Sequence, residues 1–316
     1  MLVSHFSPPQ FILIHSIGQH GVTIFFVLSG FLITTLLLRE KAQTSTLSLR
    51  SFYLRRLFRI APSAWTYIAI MFAISVGKPF SGKEISATLF CFRNYVFLNG
   101  SHPLTAHFWS LAIEEQFYLV WPLLVLLFNP RALLWLAASG SVLVAIWRLI
   151  HWTEIATGPL LAGCATQYRA DALLVGCAVA IALPWLQPRM RPWFAIPMAA
   201  FVAFCVLRFQ GFSPLSESIT IAALLATTSS CLTPLNRLLE WKPLEWLGIA
   251  SYSLYLWQQP LWLIAREWPY GFVIAIPAAL ALATISYRLI ERPCIAAGRQ
   301  ATAAHPVPAT LLTPHT

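Results

Sequence analysis

The chain has 316 residues, of which 58% are hydrophobic, 14% aromatic and only 10% charged. Soluble domains carry about 25% charged residues, so a soluble domain of ordinary size is excluded and a polytopic membrane protein is indicated. The net charge of +10 would suggest nucleic acid in a soluble protein; in a membrane chain it reflects basic residues gathered in cytoplasmic loops, and no nucleic-acid partner is expected.

Met1 to Phe6 is too short to cross a bilayer, which takes about 20 residues, and lacks the basic and apolar regions of a signal peptide. It reads as the last turn of a truncated first helix. A loop over 7–20 follows, with His15 and His20 in it. Apolar stretches then predict spanning helices near 21–38, 61–77, 109–128, 132–150, 169–186, 193–208, 218–233, 246–264 and 270–290. The expected fold is an all-α, polytopic membrane helix bundle of about nine full transmembrane helices plus the truncated first one. Between the second and third, residues 78–108 form a longer link with a short re-entrant or interfacial piece near 86–98. Residues 1–297 make one membrane domain, and 298–316, rich in Ala, Pro and Thr, a disordered tail.

Arg39, Lys41, Arg50, Arg55, Arg56 and Arg59 crowd the link between the first two full helices. The excess of Lys and Arg in cytoplasmic loops places 39–59 in the cytoplasm, and helix alternation sends most other basic residues to the same side. His5, His107 and Glu114 then lie toward outer helix ends and the arginines at the inner face, on opposite sides of the membrane.

In Tyr53–Pro62, YLRRLFRIAP, Arg56 and Arg59 are three apart and share a helical face. Pro62 suits the start of the next helix. Guanidinium pairs phosphate in a bidentate fork, so the pair could clamp a cytoplasmic polyphosphate such as coenzyme A; an interfacial helix meeting lipid phosphates fits the same residues. Trp109–Pro122, WSLAIEEQFYLVWP, buries two adjacent carboxylates in an apolar run, and such groups mark function or a packing ion pair. Successive helix residues point about 100° apart, so Glu114 faces inward with Phe117 and Tyr118, and Glu115 caps or pairs elsewhere. His5 can act as a base toward a hydroxyl, oriented by a carboxylate, or simply be an interfacial histidine.

Arg169 and Asp171 open another helix in YRADALLVG, where Asp171 is favoured by the helix dipole and Gly176 allows close helix approach. In GVTIFFVLSGFLIT, Ser29 and Gly30 read as close packing or a cavity wall, since no GxSxG elbow surrounds the serine. Tyr252, Tyr255, Gln258 and Gln259 in SYSLYLWQQP could line a sugar pocket. The segment SYRLIERP ends the last helix as a structural stop. The six cysteines show no CxxC pair, and no metal site is expected.

Together FFVLSGFLIT, YLRRLFRIAP, HFWSLAIEEQFYLVWP, YRADALLVG, SYSLYLWQQP and ISYRLIERPC resemble the acyltransferase-3 family of membrane O-acyltransferases, over about residues 1–295. The resemblance implies about ten core helices and O-acylation of sugars or cell-surface glycans in the bacterial cytoplasmic (inner) membrane. It implies acyl-CoA, usually acetyl-CoA, as donor substrate rather than a permanently bound cofactor. The family's essential histidine falls on His5, its Arg-x-x-Arg pair on Arg56 and Arg59, and its WSL-motif acid on Glu114. His107, Tyr118, Arg169, Asp171, Tyr252, Tyr255 and Gln258 are candidate acceptor-pocket or supporting residues. Two features depart from the pattern: the family's arginine eleven residues before the histidine would precede Met1, and Gln258 stands where a histidine is frequent. A transporter or flippase, or a truncated non-catalytic family member, are the alternative readings.

Overall fold

The computed structural model describes residues 12–75, 80–96, 102–157, 162–208, 215–268 and 270–302; His5 lies outside them. The described residues form helices and connecting turns, with no strand among them. The first half comprises α1 (Ile12–Thr44), α2 (Leu49–Ile74), the short α3 (Gly82–Leu89), α4 (Phe108–Leu127), α5 (Pro130–Ile150) and α6 (Trp152–Thr157). Then come α7 (Thr166–Leu186), α8 (Ala195–Arg208), α9 (Leu215–Ser230), α10 (Pro234–Leu239), α11 (Lys242–Ile249), α12 (Ser251–Ala265), α13 (Gly271–Ser286) and α14 (Arg292–Ala301).

Among the described residues, six stretches are long and apolar enough to cross a membrane: 20–44, 49–74, 103–127, 130–150, 166–189 and 271–301. The expected count of nine is not reached among the described residues. The stretches at 193–208, 218–233 and 246–264 do form helices, but over the described residues α8, α9 and α12 have 14, 16 and 15 residues, short of the roughly 20 that a straight crossing needs. Ala250, a turn between α11 and α12, removes the first residues expected of the third.

Four boundaries also differ from the sequence expectation. The described residues of α1 start at Ile12, so residues 12–20 of the expected 7–20 loop are helical. Helix α2 runs unbroken through Pro62; proline's missing N–H frees only the Phe58 carbonyl, and in a membrane helix neighbouring groups can re-satisfy such a backbone group. The chain does not stop at Pro293. A π-turn over Tyr287–Glu291 leads without a break into α14, so Pro293 lies inside one continuous helical stretch, and the π-turn just before it accommodates the missing N–H. Gly298 is therefore helical and buried, and the expected start of a disordered tail falls inside α14.

Helix α1 is the spine, packed along α7 and touching α4 and α9. The close approach comes from two glycines. A Cβ at Gly30 would stand 2.0 Å from the Leu173 carbonyl oxygen, and one at Gly176 2.2 Å from that of Val27. Around this seam, Ile33, Leu37, Trp121, Val125 and Leu133 form one buried cluster. Lys41, in the last turn of α1, donates to the Val125, Leu126 and Phe128 carbonyls at 2.7, 3.1 and 3.2 Å. Those are the unsatisfied carbonyls at the end of α4, which a cation suits. The helix that carries Glu114 is thus tied to α1 at its far end.

Candidate active site

One cavity of about 290 Å³ lies between α1, α2, α4 and α12, and its wall includes Ser29, Arg56, Arg59, Glu114, Tyr252 and Tyr255. The arginines and the acid, expected on opposite sides of the membrane, therefore face the same space. Helix geometry gives the reason. Arg59 lies ten residues into α2, about 15 Å along its axis, and Glu114 six residues into α4, about 9 Å from the opposite end. Both positions approach the middle of the bundle.

The one-face reading of Arg56 and Arg59 holds, since both line the cavity. Arg55 turns away and pairs with Glu40 at 3.5 Å. The Arg56 guanidinium sits 5.0 Å from the centre of the Tyr118 ring and 5.8 Å from that of Phe52. On α4, Glu114 and Tyr118 share the cavity wall, as the i, i+4 spacing predicts. Phe117 turns instead into the core, stacked on Trp121 with ring centres 5.6 Å apart. Glu115 Oε1 finds no hydrogen-bond donor among the described residues.

A directed hydrogen-bond chain runs along this wall. The Tyr118 hydroxyl donates to Ser29 Oγ at 3.2 Å, and the Ser29 hydroxyl donates to Glu114 Oε1 at 2.6 Å. The sequence read Ser29 as close packing or a cavity wall and gave no partner for it; 85 positions separate it from Glu114, beyond the reach of any local pattern. Ser110 was likewise missed, and its hydroxyl bonds that of Tyr255, which itself donates to the His107 carbonyl at 2.6 Å.

The remaining candidates stand apart from the cavity. His107 is buried with its ring 5.4 Å from that of Tyr67 and 5.3 Å from that of Tyr255. Arg169 lies buried over Trp109, its guanidinium 5.4 Å from the ring centre. Asp171 is held by Arg148 through two bonds of 3.0 and 2.8 Å. Gln258 is buried within α12. A second buried polar pair, invisible in the sequence, joins His20 Nδ1 to Glu217 at 2.9 Å. No group of three metal-ligating side chains occurs among the described residues.

Comparison with known proteins bears on this arrangement. The model of a family described as an acyltransferase domain matches residues 2–288. The peptidoglycan O-acetyltransferase OatA of Listeria monocytogenes is 33% identical over 87% of this chain and 51% of its own length. The O-acetyltransferase OatA of Staphylococcus aureus is 29% identical over 87% of this chain and 52% of its own. The chain thus spans about half the length of these relatives. No solved structure matches it. From the family match over nearly every residue, and from relatives that align with most of its length, the chain belongs to the acyltransferase-3 family.

Proposed function

We propose that this chain is the membrane domain of an O-acetyltransferase that moves an acetyl group from cytoplasmic acetyl-CoA to a hydroxyl of a cell-wall glycan. The observation that carries the reading is the single cavity shared by Arg56, Arg59 and Glu114. Two guanidiniums suit the phosphates of the donor, and a carboxylate within the same space suits the reacting end. The names of the relatives favour an acetyl group and a peptidoglycan-type acceptor.

In this mechanism the acceptor oxygen attacks the thioester carbonyl while its proton passes to the His5 imidazole. The carbon–sulfur bond breaks, and the departing coenzyme A thiolate takes the proton back from His5. Glu114 orients the imidazole and stabilises its charged form. Arg56 and Arg59 hold the donor from the cytoplasmic side of the bacterial inner membrane, with the 39–59 segment facing the cytoplasm.

Transfer of radiolabelled acetyl from acetyl-CoA to glycan fragments, measured on the full chain in nanodiscs, tests this. His5→Ala and Glu114→Gln are expected to lose at least a hundredfold in kcat, in line with loss of acid–base catalysis. Arg56→Ala is expected to raise the KM for acetyl-CoA about tenfold and leave the acceptor KM in place. A fully active His5→Ala protein overturns the mechanism. Acetyl-CoA binding without any turnover by the unaltered chain would mark a non-catalytic family member.

A further inference from the structure

We infer that Ser29 is a positioning residue for Glu114, and that Tyr118 couples this pair to Arg56; the inference rests on the function proposed above. Serine and threonine inside helices commonly bond back to the carbonyl four residues earlier. Thr35 and Thr44 of the same α1 do so, at 2.8 Å each, to Phe31 and Glu40. Ser29 instead sends its proton across to α4, at 2.6 Å from Glu114 Oε1. Its direction is set from behind. The buried Tyr118 hydroxyl donates to Ser29 Oγ at 3.2 Å, which occupies an acceptor site on that oxygen and favours a Ser29 proton aimed at Glu114.

Each bond in such a chain polarises the next. The far end is the Tyr118 ring, with the Arg56 guanidinium over it at 5.0 Å. An anion bound at Arg56 competes with the ring for the guanidinium. Donor occupancy therefore reaches Glu114 through an aromatic ring and two hydroxyls. A bond that served only to pack α1 against α4 would have no such link to the donor residue. Ser29 is also held in place from its other side, because Gly30 seats its backbone on Leu173.

The test measures kcat and the KM for acetyl-CoA for Ser29→Ala, Tyr118→Phe and the double variant, on full-length protein in nanodiscs, beside Glu114→Gln. Ser29→Ala is expected to lower kcat about tenfold with KM within twofold. Tyr118→Phe keeps the ring and should lower kcat about threefold. The double variant should match Ser29→Ala alone, because both act through one chain. Wild-type kcat in Ser29→Ala, a rise in KM equal to its kcat loss, or losses that multiply in the double variant overturn the inference. If Ser29→Ala does not fold, Tyr118→Phe alone decides, and an unchanged kcat overturns it. Glu114→Gln at the wild-type rate defeats the functional reading itself. An inactive Glu114→Gln beside a fully active Ser29→Ala defeats only the positioning role.

Discussion

Asp171 and Arg148 illustrate what a single buried pair costs when it is broken. Both carboxylate oxygens accept from the guanidinium, at 3.0 and 2.8 Å, and Arg148 also donates to the Tyr168 carbonyl at 2.8 Å. Removing one partner leaves an uncompensated buried charge, at about 3–5 kcal/mol. Asp171→Ala is expected to lower the thermal midpoint of the purified protein accordingly, and Arg148→Met with Asp171→Leu to regain most of it. An unchanged midpoint in Asp171→Ala would refute the pair's structural role. Cys91, in the loop before α4, gives a pH-dependent case. Burial, with a smaller effect of Glu115, pushes its thiol up to about 11, and the thiolate is the reactive form. Alkylation of Cys91 should be slow at pH 8 and accelerate as pH approaches 11; a rate at pH 8 equal to that of free cysteine refutes this. Residues three or four apart on one helix, such as Arg56 with Arg59 and Glu114 with Tyr118, were legible because spacing alone puts them on one face. Ser29 with Glu114, His20 with Glu217 and Arg148 with Asp171 join different helices, and no local pattern encodes such meetings.

Helix boundaries show the same division. The apolar runs located the helices, but Pro62 and Pro293 misled as punctuation, because proline's effect depends on what surrounds the backbone it frees. At Pro293 a π-turn absorbs the register change, and Glu291 within that turn is buried and accepts from Ser253 at 2.9 Å. Gly176 was legible as a close-approach residue because small residues let membrane helices meet; that its neighbour across the seam is α1 was not. The seam predicts a sharp contrast. Gly30→Ala and Gly176→Ala each place a methyl about 2 Å from a backbone carbonyl, and overpacking of this kind costs about 1–3 kcal/mol or more. Both should reduce the yield of monodisperse protein. Gly82→Ala, which meets nothing within 4 Å, should not. Equal yields for all three would show that the seam yields.

At the scale of the whole molecule the exposed surface is that of a protein in lipid. Leu143 in α5, Leu119 in α4 and Ile274 in α13 are 64%, 62% and 68% exposed. A charge on such a face costs about 2.5–3.5 kcal/mol near the middle of a helix. Leu143→Arg is therefore expected to reduce membrane insertion of the α5 segment in a microsomal assay, and unchanged insertion would place that face away from lipid. Composition alone made the membrane class legible. It did not distinguish the six stretches of full spanning length from the three shorter helices, since an apolar run records burial and not what does the burying. The contact between α1 and α7 has a mechanical consequence beyond stability. Where Gly30 meets Leu173 there is no side chain to compress, only backbone against backbone. Such a contact acts as a hard stop. The wall that holds the Ser29 hydroxyl is consequently backed by a rigid contact that cannot close further, which fixes the position of that hydroxyl relative to α7.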